Sequence, residues 1–169
     1  LENVRGLLSH DQGKTFKTIE SHLKAAGYSV KSQVLVAKDY GLPQIRKRLF
    51  IVGVRDDINA EFDFPPKQDK LWYSLEDVMG GAVEREYAFT IRIGGRRSGI
   101  NNRYNWDAYK VNGEVRYITP EECKLLQGFP SSYKLTGNQN LQYKQLGNSV
   151  PVSVVQAIGR ELIERKIIG

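Results

Sequence analysis

The chain has 169 residues, 40% of them hydrophobic and 26% charged, which is the composition of a folded domain and excludes an intrinsically disordered chain. Lys and Arg total 25 against 19 Asp and Glu, a net charge of +6 that suits a polyanionic partner without requiring one. The single cysteine, Cys123, excludes an intrachain disulfide framework and points to a reducing compartment, and no apolar run reaches the roughly 18 residues needed to span a bilayer.

In chain order, Leu1-Glu2-Asn3-Val4 comes first, without an initiating Met, and reads as the tail of an element whose front lies in a longer chain. Phe16, Ile19, Leu23 and Ala26 fall at helical spacing and Gly27 suits a C′ position, so a helix is expected over 13–26. A strand follows over 28–37 with Val30, Val34 and Val36 on one face, then a turn over 39–43 and a strand over 47–54. Phe62-Asp63-Phe64-Pro65-Pro66 reads as a strap, because paired prolines continue neither a helix nor a central strand. A short helix is expected within 72–79, ahead of Gly80-Gly81. From 85 to 118 no clean period survives, but Asn112-Gly113 between β-favouring residues signals a hairpin. Thr119-Pro120-Glu121-Glu122 is a capping box with Pro at N1, opening a helix that Gly128 ends. The last helix is expected over 150–166, with Val155, Ile158 and Leu162 as its apolar stripe and Asn148 or Ser149 as its N-cap.

Several residues stand out chemically. Gln44, Arg46 and Arg48 alternate ahead of the apolar run Leu49–Val54, so they share one strand face. Guanidinium groups at the mouth of a buried strand suit gripping something anionic or carbonyl-rich, although edge strands also carry basic residues to prevent mispairing. Between 85 and 118, seven basic residues (Arg85, Arg92, Arg96, Arg97, Arg103, Lys110, Arg116) outnumber three acidic ones and are interleaved with Tyr87, Tyr104, Trp106, Tyr109 and Tyr117. That mixture suits loops following phosphates and reaching base edges. Cys123 sits inside a short capped helix and reads as a buried structural thiol rather than a nucleophile. His10 and His22 lack partners at metal-ligand spacing, so no metal site is expected.

Three blocks, Glu2-Asn3-Val4, Gln44-Ile45-Arg46-Lys47-Arg48 and Gln145-Leu146-Gly147-Asn148-Ser149-Val150, resemble in content and order the signature blocks of the C5-cytosine DNA methyltransferases. The resemblance covers essentially the whole chain. It implies an α/β fold, the C-terminal part of a Rossmann-like S-adenosylmethionine-dependent methyltransferase sheet plus a small irregular β-rich target-recognition domain. Residues 1–57 would end the catalytic domain, 58–118 would form an abbreviated recognition domain, and 119–169 would supply helices returning to the catalytic domain. Ala88-Phe89-Thr90-Ile91 resembles the family's Thr-Leu pair with Ile for Leu, and only about 40 residues separate it from the arginine strand.

Catalytic roles are implied for Glu2, Arg46 and Arg48. Methylating C5 needs a nucleophile at C6, which the ring accepts when its N3 is protonated or strongly hydrogen-bonded; a carboxyl group held in a dry pocket, Glu2, would do this. Arg48 would meet O2 as negative charge develops there, and Arg46 would brace the site or meet a phosphate. Asn148, Ser149 and Val150 would lie beside S-adenosylmethionine. DNA contacts would come from Gln44, which also holds the neighbouring loop, and from Thr90, Arg92, Arg96, Arg97 and Arg103.

The family's glycine-rich cofactor loop and Pro-Cys nucleophile are not in this sequence. The expected partners are therefore double-stranded DNA and a missing N-terminal half, on the same polypeptide or a separate subunit, in a cytoplasmic, nucleoid-associated restriction–modification enzyme of prokaryotic type. A DNA-binding module without catalysis, or a decayed remnant, is the alternative of a different class; a basic α/β protein with no nucleic-acid role is the third.

Overall fold

The arginine-headed apolar run becomes the central strand of a three-stranded sheet. The computed structural model describes every residue except 69, 95 and 169. In chain order it contains β1 (Glu2–Val4), α1 (Lys14–Ala25), β2 (Tyr28–Val36), β3 (Lys47–Arg55), α2 (Leu75–Met79), β4 (Ala108–Val111), β5 (Glu114–Tyr117), α3 (Pro120–Leu126), α4 (Gln139–Asn148) and α5 (Val152–Glu164). The larger sheet runs β1-β3-β2, and β4 with β5 forms a second sheet. The chain divides into two compact units: Leu1–Leu35, Lys47–Lys67 and Val155–Gly169 form one, and Val36–Arg46 with Gln68–Val154 the other.

In the first unit β3 takes the middle of the sheet because consecutive apolar residues serve both faces; Leu49, Phe50, Ile51 and Val54 are buried. β1 pairs with it antiparallel, Glu2 opposite Phe50, Asn3 opposite Leu49 and Val4 opposite Arg48. Helix α1 forms where the spacing of Phe16, Ile19 and Leu23 predicts it, and Gly27 stops it at φ +82°, a conformation that favours glycine. No α1 residue is fully buried. Along the strap Phe62 is buried and meets Phe64 edge-on, ring centroids 5.0 Å apart.

The second unit is built on Leu75, Ile91, Trp106, Tyr109, Ile118, Cys123, Leu126, Tyr143 and Leu146. Burying a large apolar side chain here contributes on the order of 1.5–3 kcal/mol. The hairpin turns at Asn112 and Gly113, φ +51° and +86°, the positive pair that a two-residue hairpin loop requires. The capping box of α3 is present, with Glu122 N–H donating to Thr119 Oγ1 (3.2 Å) and Thr119 N–H donating to Glu122 (2.7 Å). Glu122 also receives both arms of Arg116, at 2.6 and 3.1 Å.

Two expectations need correction. Residues 145–148 belong to α4, a helix the sequence reading did not anticipate; Asn148 is its last residue and Ser149 its C-cap, so neither begins the next helix. The stripe on α5 is corrected at one position: Ile158 is buried as expected, but Val155 is 44% exposed and Val154, 1% exposed, faces inward in its place. Among the described residues no helix is long and apolar enough to cross a membrane.

Candidate active site and nucleic-acid face

Register explains how Glu2 and Arg48 meet. Directly opposed residues of an antiparallel pair share a face, so Glu2, Val4, Arg48 and Phe50 project the same way, and Glu2 and Arg48 are diagonal neighbours. The arginine closes that diagonal: its Nε lies 3.0 Å from Glu2 Oε1, with side-chain exposures of 14% for Arg48 and 28% for Glu2. Desolvation lowers the Arg48 pKa from its ordinary value and the Glu2 carboxylate opposes that shift, so the guanidinium stays charged at neutral pH. A pair this accessible adds at most about 1 kcal/mol to folding. It brings donors and a carboxylate to one edge, where a heterocycle presenting an acceptor beside an N–H donor could be gripped. The dry pocket expected around Glu2 is not formed by this chain, since more than a quarter of that side chain meets solvent.

Alternating burial follows the Gln-x-Arg-x-Arg pattern. Gln44 and Arg46 are 0% and 1% exposed, whereas Ile45 and Lys47 face solvent. Arg46 donates to the carbonyls of Ile91 (3.0 Å), Gly147 (2.9 Å) and Ser149 (2.7 Å), fastening two chain segments. A side chain so enclosed braces; it has no surface for a phosphate. Gln44 receives Ile91 N–H at 3.3 Å and donates to Leu126 O at 2.9 Å, so this residue, expected both to hold a loop and to touch DNA, is engaged entirely inside the protein. Gly147 makes the arrangement possible: a Cβ there would sit 2.9 Å from the carbonyl carbon of Arg92. Thr90 Oγ1 donates to Ile45 O at 2.6 Å, tying the recognition segment to the same stretch.

Asn148 is exposed, and Ser149 and Val150 are half-buried in the short loop between α4 and α5. An exposed carboxamide and a loop of fixed backbone fit one edge of a polar cofactor such as S-adenosylmethionine; the anion-binding glycine loop such a cofactor also needs is not in the sequence.

The basic stretch separates into two groups. Arg116 is committed to Glu122 and Met79 O, and Lys110 to Glu84 at 2.7 Å. Arg92, Arg97 and Arg103 are exposed and Arg96 half-exposed. Arg96 lies 4.2 Å over the Tyr143 ring and donates to Asn140 (2.8 Å); Arg103 stacks 4.4 Å over Tyr104. Arg97 holds φ +59° because its N–H donates to the buried carboxylate of Asp107 at 2.9 Å. Of the interleaved aromatics, Trp106 and Tyr109 belong to the core, while Tyr104 and Tyr117 are exposed.

Gln127 and Lys124 escaped the sequence reading. Both are buried, Gln127 against Leu146 and Ser149 and Lys124 against the carbonyls of Ser131 and Tyr133. A hint was available for Lys124, which lies in the helix that Thr119 caps, one turn from an apolar neighbour; Gln127 is that helix's C-cap, where no periodicity applies. Cys123 is fully buried and desolvation pushes its thiol up, the environment of an inert cysteine. His10 and His22 bond locally, to Thr15 Oγ1 and Thr18 O.

Comparison with known proteins agrees with this picture. A family model described as C-5 cytosine-specific DNA methylase matches residues 1–100 and 84–164. The Type II methyltransferase M.DsaV of Dactylococcopsis salina is 35% identical over 196 aligned positions, which cover 96% of this chain and 56% of that protein. M.NlaX of Neisseria lactamica is 32% identical, with 96% and 61% covered. The chain thus spans somewhat more than half the length of these relatives. In fold it is similar to the Entamoeba histolytica methyltransferase EhMeth, TM-score 0.73 at 20% identity, over 99% of this chain and 62% of that one. With both sequence blocks and fold matched, this chain belongs to the C-5 cytosine-specific DNA methylase family.

Proposed function

We propose that this chain is the C-terminal part of a DNA (cytosine-5)-methyltransferase of restriction–modification type. The Glu2–Arg48 pair, held on adjacent strands at 3.0 Å, is the observation that carries the reading. In the assembled enzyme a cytosine leaves the duplex stack for the pocket. A cysteine of the upstream half adds to C6, breaking the C5–C6 double bond and driving charge onto N3 and O2. Glu2 shares a proton with N3, and Arg48 stabilises the charge at O2 with donors already in place. Asn148, Ser149 and Val150 would hold one edge of S-adenosylmethionine, which would supply an electrophilic methyl for C5. Loss of the C5 proton and of the thiolate from C6 restores the aromatic ring and frees the enzyme.

Within this reading residues 1–57 close the catalytic sheet, 58–118 recognise the target and 119–169 return to the catalytic domain. Arg92, Arg96, Arg97 and Arg103 meet the duplex, with Thr90 placing their segment. Arg46 acts on the chemistry by bracing rather than by contact. The partners are double-stranded DNA and an N-terminal half bearing the cysteine and the cofactor's glycine loop, in the cytoplasm at the nucleoid.

The test is transfer of labelled methyl from S-adenosylmethionine to cytosine-containing duplex DNA, by this chain alone and by the chain joined to its upstream coding sequence. Transfer by the joined form alone is expected. Transfer by the 169 residues alone would refute the division of labour, and DNA binding without transfer by either form would establish a non-catalytic module.

A further inference from the structure

Gln127 occupies an unusual position among the buried polar residues. It is 0% exposed, and a single residue holds both ends of the loop that leads from α4 into α5. Its side-chain Nε2 donates to Leu146 O (2.7 Å) and Ser149 Oγ (3.0 Å), and its main-chain oxygen accepts Val152 N–H at 2.8 Å. Between those anchors lie only Val150 and Pro151.

The polarity of the connection is forced. Ile91 N–H can only donate, so Gln44 must turn its oxygen toward it, at 3.3 Å. That leaves Gln44 Nε2 facing Leu126 O (2.9 Å) and Gln127 Oε1 (3.3 Å). With its oxygen so occupied, Gln127 must present Nε2 to Leu146 and Ser149, and Ser149 Oγ passes its own proton to Leu146 O at 2.8 Å. Neither amide can flip without setting like against like.

We propose that Gln127 is a positioning residue, which sets the loop of Ser149 and Val150 relative to the recognition segment at Ile91 through this one-way relay of buried amides. The functional consequence rests on reading residues 148–150 as the cofactor-side loop; the relay itself does not. Arg46 binds the carbonyls of the same two segments, so the relay supplies the second fastening. Two fastenings fix the relative rotation of the segments as well as their separation.

The experiment has two arms. In the chain as it stands, amide hydrogen exchange is followed by NMR for wild type and Gln127→Met, which keeps side-chain length and removes the donors. Exchange at Ile91, two side chains away, is expected to accelerate about tenfold, the effect of one buried hydrogen bond. Amides at Ile118 and Cys123, bonded to Asp107 O and Thr119 O, are expected to stay unchanged. If Gln127→Met does not fold, Gln127→Asn, which retracts the amide by one methylene, is read in the same way. Unchanged exchange at Ile91, or equal acceleration everywhere, overturns the relay.

In the form joined to its upstream sequence, Gln127→Met should raise KM for S-adenosylmethionine five- to tenfold and leave kcat within twofold. A loss of folded enzyme would instead lower kcat. Asn148→Ala separates the two ideas. If it raises KM while Gln127→Met does not, positioning by Gln127 is refuted and the cofactor reading stands. If Ile91 accelerates while neither variant moves KM, the relay stands and the cofactor reading falls.

Discussion

Arg46 and Arg48 stand two residues apart on alternate positions of one stretch, and they do opposite work. Arg46 is 1% exposed, and its guanidinium is filled by three main-chain carbonyls. Arg48 keeps an accessible edge and meets a carboxylate. Carbonyls are neutral and fixed, so a cation among them is a fastening that resists rearrangement. A carboxylate beside solvent leaves both partners able to take a new ligand when water is displaced. The residue type is the same; what each faces separates a buried brace from an accessible cation paired with a carboxylate.

The sharpest way to break that contrast is to remove the brace. Arg46→Ala leaves the buried carbonyls of Ile91 and Gly147 without donors, each costing about 1–3 kcal/mol, while Ser149 O keeps the Gln127 amide at 3.4 Å, and unfolding stability in urea should fall by roughly 3–5 kcal/mol. Arg46→Lys recovers less than half, because an ammonium cannot reach two segments as a planar fork does. Arg48→Ala should instead change stability by under about 1 kcal/mol while methyl transfer by the joined form falls roughly 10²–10³-fold, the cost of one preorganised donor at developing charge. Equal stability losses in the two variants would erase the distinction.

The sequence showed this region clearly, because alternation along a strand is a short-range rule: Gln44, Arg46 and Arg48 on one side and Ile45 and Lys47 on the other follow from the pleat alone. The capping box at Thr119 and the Asn112-Gly113 turn were equally local. Helix α4 was not legible. It buries Tyr143, Leu146 and Gly147 between polar neighbours, and a glycine inside a helix costs about 1 kcal/mol against Ala, so its pattern argues for a loop. Gln127 was hidden for another reason. Its partners lie about 20 and 80 residues away, and no spacing rule encodes a contact that tertiary packing creates.

Gly147 offers a smaller perturbation of the same brace. Gly147→Ala would set a methyl 2.9 Å from the Arg92 carbonyl carbon and 3.1 Å from Ile93 N, both main-chain atoms that cannot swing aside. The expected loss is about 1–3 kcal/mol, with Arg46 still in place. Restored stability in Gly147→Ala on any further change at the Arg92 side chain would show that the side chain, not the backbone, is the obstacle.

Alkaline pH probes the buried second unit. Burial raises the Cys123 thiol above its ordinary value near 9 and the Tyr73 phenol to about 12 from near 10. Above pH 9 the unfolded chain therefore loses protons that the folded chain keeps, so stability falls as pH rises. It is fully present below pH 9, and the Cys123 contribution is the first to decline. Cys123→Ala should be less stable at pH 7, through its cavity, and show a shallower decline between pH 9 and 10.

The contrast between committed and available arginines extends to the basic stretch, where it predicts salt dependence rather than stability. Arg103 is exposed beside Tyr104, and Arg116 is locked to Glu122 and Met79 O. If Arg103 neutralises a phosphate, Arg103→Ala reduces the slope of log affinity against log salt by about 0.9, the counterion released per contact, and leaves the urea midpoint unchanged. Arg116→Ala should do the reverse, lowering the midpoint and preserving the slope. Formal charge falls equally in both variants, so a slope that moved equally in both would mean that DNA senses net charge alone. A slope that moves only with Arg103 would mean that the fold decides which cations the duplex meets.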